Sequence, residues 1–299
     1  NVSINNGAVP SSEADGRAFS FDIIPSSNID NMMIIKSPTA ELPGDFSGGF
    51  IKISTKNMPD ENSLSLSVGT GINTVTHFKD FSLLQSSSTE WLGFDRCARP
   101  LSKDFPSHLG SMTDPSQITY YTKTGFNNDW NVKTFRPLPD LKLNLTWNRK
   151  IGDKVGTILT FGYSNANKTI PDMQNTRYGI YSATADVPTI EKNYIDNQFT
   201  NEVKINAMNN WSFILDSRNR FEFRNLFSQI GKNRFTERYG TSTVSGEYYE
   251  NQTEMLYSSR LSYVGQLAGL HTLDEDMTQT LNWTVDYSYA NKMEPDRRI

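Results

Sequence analysis

The chain has 299 residues, which at about 150 per domain allows roughly two domains or one large all-β unit. It is 36% hydrophobic, 21% charged and 12% aromatic, with a net charge of −4. That balance is too aromatic and too weakly charged for a disordered chain, and it lacks the positive excess that collects phosphates, which argues against a nucleic-acid partner. The single cysteine, Cys97, excludes an internal disulfide framework and a cysteine-rich zinc site. Apolar runs such as Met32-Met33-Ile34-Ile35 are short, and none approaches the ~18 to 20 residues of a membrane-spanning helix. The chain opens on Asn1-Val2-Ser3, without an initiating Met or a leader pattern, and stops at Arg297-Arg298-Ile299 after a strand-like stretch. It therefore reads as a fragment of a longer chain, with any export signal expected upstream.

Residues 1–62 have mixed patterning. A short helical turn is predicted after Pro25, then a strand Met32 to Lys36, a loop with Pro38, Pro43, Gly44, Gly48 and Gly49, and a second strand Phe50 to Lys56. This is a small α+β piece, of a size that is marginal alone.

From Ser63 onward the dominant signal is period-2 alternation. Leu64, Leu66, Val68 and Ile72 alternate with Ser65, Ser67, Gly69 and Gly71, and Leu141, Leu143, Leu145 and Trp147 alternate with Lys142, Asn144 and Thr146. Equivalent sets are Leu159, Phe161, Tyr163; Val203, Ile205, Ala207, Trp211, Phe213, Leu215; Tyr257, Leu261, Tyr263, Leu267; and Leu281, Trp283, Val285, Tyr287, Tyr289. A seventh segment around Phe221, Phe223 and Phe227 is less regular, because Leu226 and Ile230 fall out of phase, and a bulge or shifted register is expected there. Short polar links (Lys150 to Gly156, Asp216 to Arg220, Thr272 to Thr278) alternate with longer ones (Lys79 to Leu138, Asn165 to Gln198, Tyr239 to Glu250), so the long links of an up-and-down meander would emerge at one end.

Alternation alone allows a soluble sandwich or a membrane barrel, since both hide one face of each strand. Strand length separates them. Val203 to Leu215 and Tyr257 to Leu267 reach or exceed the ~9 to 11 residues of a tilted membrane strand, whereas sandwich strands run ~5 to 6. Aromatic residues gather toward strand ends, as an interfacial girdle requires, and Lys142, Lys204, Glu222, Arg224, Arg260 and Asp286 all fall on the polar phase. The fold class expected is an all-β transmembrane antiparallel β-barrel, present in part as about seven strands over residues 63–299, with a small α+β unit at residues 1–62.

The run Ile23 to Asp30, then Lys36-Ser37-Pro38-Thr39-Ala40-Glu41, then Gly48-Gly49-Phe50-Ile51-Lys52-Ile53-Ser54-Thr55-Lys56, resembles the plug domain of TonB-dependent outer-membrane receptors of the Bacteroidetes type. The family pattern is a proline-led turn, a short helix, a strand ending near Lys-Gly-Pro, a small-residue loop, and Gly-Gly before a strand closing on Thr-Lys. Pro25, Lys36, Pro38, Gly48, Gly49, Thr55 and Lys56 carry the match, and Ser37 stands where the family has glycine. The resemblance implies the later part of a plug followed by the first strands of a 22-stranded barrel in the outer membrane of a Gram-negative bacterium. It also implies a receptor that binds a nutrient (siderophore, glycan, peptide or similar) outside and imports it by energy-coupled plug displacement. The implied partners are outer-membrane lipid, the TonB energy-coupling protein through a segment expected upstream, and the nutrient; a surface lipoprotein lid is left open. In this setting the Gly48-Gly49 pair would serve where the backbone crosses close to a wall or turns with positive φ.

Other constellations are weaker. His77, His108 and His271 have no metal-ligand spacing, Asp274-Glu275-Asp276 reads as a solvated turn, and Gly69-Thr70-Gly71 lies inside a strand, where its small residues would face the lumen and make room for the plug. Asn144, Asn167, Asn251 and Asn282 begin glycosylation-type tripeptides that polar alternation generates by chance. No Gly-x-Ser-x-Gly elbow occurs, and neither an enzyme activity nor a cofactor or metal is expected. Trp91, Phe94, Tyr120, Tyr121 and Trp130 are loop aromatics able to stack on a sugar or apolar ligand, or on one another. The rival reading is a soluble or surface-attached β-rich carbohydrate-binding protein. A passive porin is disfavoured by the plug-like segment.

Overall fold

The structure, a computed structural model, describes residues 2–8, 29–37, 49–84, 87–96, 99–106, 108, 110, 112–126, 129–276 and 278–299. Seven strands form one antiparallel sheet: β5 (Ser63–Gly71), β8 (Asp140–Ile151), β9 (Val155–Ser182), β10 (Val187–Ile214), β11 (Asn219–Ser242), β12 (Tyr248–Thr272) and β13 (Thr280–Met293). They lie side by side in chain order, so β5 and β13 are edges with one neighbour each. The seven periodic segments of the sequence are these seven strands.

Residues 2–8, 29–35 and 50–55 form a second, four-stranded sheet in the order β2 (Gly7–Ala8), β1 (Val2–Ile4), β4 (Phe50–Thr55), β3 (Ile29–Ile35), with β1 parallel to β4. The two strands predicted here are β3 and β4. The helical turn expected after Pro25 lies outside the described residues, as do Pro25 itself, Pro38, Gly48 and Cys97. β1 and β2 are joined by Asn5 and Asn6, both at positive φ (50° and 69°), the two-residue mirror-image turn that Asn tolerates.

The sheet pairing carries one alternation phase across all seven strands. The row through Leu66 runs Leu145, Phe161, Ala207, Phe227, Tyr263, Tyr289, and every member belongs to the apolar phase. Phe221, Phe223 and Phe227 share this face, and β11 pairs with both neighbours without a register shift, so the bulge expected around Phe227 is absent. Leu226 breaks the pattern for another reason: it is a buried apolar residue on the polar face, under the N-terminal sheet.

The connections differ from expectation in the same informative way. Residues 165–198 are not a loop; β9 and β10 continue as a hairpin closed by residues 183–186, and the link between β11 and β12 shrinks to residues 243–247. The register slips between Asp196 and Gln198, opposite Asp172, which takes a positive φ of 51° and donates its N–H to the Asn197 side chain (3.0 Å). A bulge there resets the alternation, so a period-2 reading loses the strand although the pairing continues. Above the bulge the cross-strand pair Asp196–Arg238 (2.7 Å) holds β10 to β11. Among the links that join strands of the large sheet, the excursion between β5 and β8 is the long one. It contains the pair β6 (Phe81–Leu84) and β7 (Val132–Phe135) and the helix α1 (Pro115–Thr124). The helix, not among the elements expected from the sequence, starts at Asp114, whose carboxylate accepts from the Ser116 N–H (2.9 Å), with Pro115 in the first turn.

The other end of the sheet has short turns stapled by acidic side chains. Asp216 accepts from the backbone N–H groups of Arg218 and Asn219 (both 2.8 Å) and from the Asn219 amide (2.9 Å), and these bonds, the Asn219 side chain foremost, hold its carboxyl below the ordinary value. A depressed carboxyl pKa stabilises the turn above the ordinary value and loses that stabilisation as pH falls through the lowered one. Amide-exchange protection at Arg218 and Asn219 should therefore persist at about pH 4, near the unperturbed carboxyl value, and disappear only on further acidification. The Asp216→Ala variant should show no such acid step.

Candidate functional site at the polar face of the sheet

The four-stranded N-terminal sheet sits on the polar face of the large sheet. Ile4 and Ile53 pack among Ile158, Met208, Leu226 and Val264, an apolar island that interrupts the polar phase on four strands; Ile53 is fully buried at 0% exposure. Hydrogen bonds surround the island. Asn5 donates through Nδ2 to Thr55 Oγ1 (2.9 Å) and accepts from the Thr55 N–H (2.8 Å). Asn210 of β10 donates to Thr55 Oγ1 (3.2 Å) and to the Lys56 carbonyl (3.0 Å). Gln266 of β12 donates to the Ile4 carbonyl (2.9 Å), and Arg224 of β11 to Asn57 Oδ1 (3.1 Å).

Gly7 makes the closest approach. A Cβ there would lie 2.0 Å from Gln266 Nε2, in the path of the side chain that holds Ile4. Of the Gly48-Gly49 pair, Gly48 lies outside the described residues, and a Cβ on Gly49 would meet no described atom within 4 Å. On β5, a Cβ at Gly69 would make ordinary contact with Lys142 Cβ at 3.6 Å, and one at Gly71 would meet only Asp140, so neither glycine is needed to make room for the described part of the N-terminal sheet.

Between the N-terminal sheet and the large sheet is a cavity of about 330 Å³, lined by Asn5, Asn6, Lys52, Ser54 and Asn57 on one side and by Arg220, Glu222, Arg224, Asn282 and Thr284 on the other. Glu222 bridges the two arginines of β11, at 2.9 Å from Arg220 and in direct contact with Arg224. The charged residues assigned to the polar phase do share this face. Lys142, Lys204, Arg260 and Lys292 occupy one hydrogen-bonded row, with Glu202 at 2.9 Å from Lys204 and Glu294 at 3.0 Å from Lys292.

Of the plug-motif residues that are described, Thr55 is buried at the centre of this contact, Lys56 reaches it through its carbonyl, and Lys36 is exposed just beyond β3. The loop aromatics go to three places. Trp91 and Phe94 lie on the segment around a short 3₁₀ turn, Glu90–Leu92. Tyr120 and Tyr121 of α1 contact each other edge-on (5.3 Å between rings), and Tyr121 meets Phe105 (5.9 Å). The Arg298 guanidinium lies 4.8 Å over the Trp130 ring. The histidines serve local structure: His77 Nδ1 accepts from the Asn73 N–H (2.7 Å) with Nε2 3.1 Å from Asp140. His271 lies between Asn219 (2.8 Å) and the Trp283 indole N–H (3.0 Å). Among the described residues no three His, Cys, Asp or Glu side chains gather as metal ligands would.

Sequence reasoning missed a buried cluster on the opposite face. Arg99 contacts Glu90 (2.8 Å) and Asp95 (3.0 Å), its guanidinium lies 4.6 Å over the Tyr257 ring, and Asn233 donates to Glu90 Oε2 (3.1 Å). Glu90, Asp95 and Arg99 are neighbours in the chain, but no sequence signal joins them to Asn233 or Tyr257.

Removing the central isoleucine should unseat the N-terminal sheet. Ile53→Ala is expected to cost about 2–5 kcal/mol, as large-to-small changes at closed core sites do, seen as faster proteolysis of residues 56–62 with the β circular dichroism of the large sheet unchanged. Lys36→Ala, at an exposed site, should behave as the parent. No family model, curated protein or solved structure matches the chain.

Proposed function

We propose that the chain is part of an energy-coupled outer-membrane uptake receptor, with residues 63–299 a portion of its membrane-spanning wall and the N-terminal sheet a portion of its plug. The observation that carries this is the inversion of the two faces. In a water-soluble β protein the apolar face is covered and the polar one exposed. Here the N-terminal sheet covers the polar face, while Leu66, Phe161, Phe213, Phe223, Leu267 and Val285 on the apolar face remain exposed across six strands.

The shape of that apolar band supports the reading. Val68, the midpoint of the first apolar set, registers through Leu143, Tyr163, Ile205, Gln229 and Leu261 with Asn291, six residues beyond Val285, the midpoint of the last. Six residues are roughly 20 Å along a strand and six inter-strand steps roughly 29 Å across, so the strands cross the band at roughly 35°. Strands of membrane barrels are tilted by about 35–45°. Lipid would cover the band, and the open edges β5 and β13 would pair with further strands, because hydrocarbon leaves no solvent for unpaired backbone.

In this reading the nutrient binds outside, where the tall β9–β10 and β11–β12 hairpins and the excursion between β5 and β8 stand. The coupling protein then displaces the plug, whose seat on the wall is one small apolar island within a polar surround. The chain binds and moves its ligand; the reading assigns it no catalytic residue.

Leu66 separates a lipid-facing wall from a soluble sheet. It is 68% exposed, so Leu66→Arg in water should lie within about 0.5 kcal/mol of the parent, whereas near a bilayer midplane it should cost about 2–4 kcal/mol. Denaturant unfolding from lipid vesicles is expected to show the larger value, with Ser67→Arg, on the other face, nearly neutral. Equal effects at both positions would remove the membrane assignment in favour of a soluble carbohydrate-binding sheet. For transport, loss of this gene and loss of the coupling protein should each abolish growth on the same nutrient. Growth that survives without the coupling protein would exclude energy-coupled uptake.

A further inference from the structure

We infer that the segment 87–96 is a membrane-surface anchor, in which Trp91 and Phe94 dip into the boundary between lipid headgroups and acyl chains on the outside of the wall. The inference rests on the membrane assignment above.

The backbone of this segment is fastened to the apolar face. Gly93, at φ +78°, lies flat against Gly231 of β11: a Cβ on Gly231 would stand 2.5 Å from Gly93 Cα, so the approach requires both glycines. Gln229 donates its side-chain amide to the Gly93 carbonyl, and the Tyr163 hydroxyl of β9 donates to the Trp91 carbonyl (3.0 Å). Glu90 is held from two sides by Arg99 and Asn233. Large aromatic side chains gain most by leaving water. Trp91 is instead 59% exposed and Phe94 37% exposed.

Their height on the wall identifies the solvent they meet. Tyr163 shares a row with Ile205, inside the apolar band, and Gly231 pairs with Val203, one alternation above. On β11 the exposed part of that face ends at Phe227: Gln229 and Asn233 above it are polar and buried beneath the excursion, and Phe235 higher still is covered by β6. Trp91 and Phe94 thus stand at the rim where the band ends, the depth at which indole and phenyl rings gather at membrane surfaces. They also lie on the face opposite the N-terminal sheet, so a ligand entering along the polar face would not meet them.

The test is quenching of tryptophan fluorescence in vesicles of phosphatidylcholine brominated either near the headgroup or deep in the acyl chain, with the full chain reconstituted. The Trp91 signal is the difference between the parent and Trp91→Phe; Trp147, within the band on β8, is read in the same way from Trp147→Phe. Trp91 should lose most of its emission to shallow bromine and much less to deep bromine, while Trp147 is quenched in both lipids. Quenching of Trp147 without quenching of Trp91, or deep-selective quenching of Trp91, would overturn the anchor and leave the membrane assignment standing. Quenching of neither would overturn both.

Discussion

Successive residues of a strand point to opposite faces, and continuous pairing forces neighbouring strands to share that phase. Over the row from Leu66 to Tyr289 the phase holds for seven strands, so the sheet acquires one apolar face and one charged face without any residue being chosen for its contacts. Two described bodies attach to these surfaces, one to each. The N-terminal sheet takes the polar one through Ile4, Ile53 and Thr55, and the excursion between β5 and β8 takes the upper part of the apolar one through Phe81, Leu84 and Gly93.

The two attachments differ in kind. Phe81 lies edge-on to Phe199 and packs in a cluster with Phe235 and Met255, apolar against apolar. The N-terminal sheet instead meets a surface of Asn, Gln, Arg and Glu, in which four apolar residues make a seat and Asn210, Gln266 and Arg224 supply directional bonds. Interfaces of that mixed character resemble those between domains that move, because much of their polar surface can be rehydrated on separation. In the receptor reading proposed above, a plug that stays seated at rest and leaves under force would be served by such a contact.

The same physics explains where glycine matters. Crowding is found at Gly7, where a wall side chain reaches across to the β1 backbone, and at the Gly93–Gly231 crossing, where two backbones touch. Neither pair of neighbours is close in sequence.

What the sequence by itself determined is the set of seven strands, their facing and their order, since alternation is local and each of Leu64 to Val68, Leu141 to Trp147 and Leu281 to Tyr289 shows it within a few residues. The strands β3 and β4 were legible for the same reason. Its reach ended wherever local pattern and pairing part company. At Asp172 a bulge shifts the phase, so the continuing hairpin of β9 and β10 looks like a loop, and at Leu226 a contact with another sheet places an apolar residue among polar ones. Which body covers which face, and the clamp of Glu90, Asp95 and Arg99 beneath Asn233 and Tyr257, were decided only by tertiary structure. The bond from Asn233 to Glu90 spans 143 positions, and a periodicity of two carries no information over such distances.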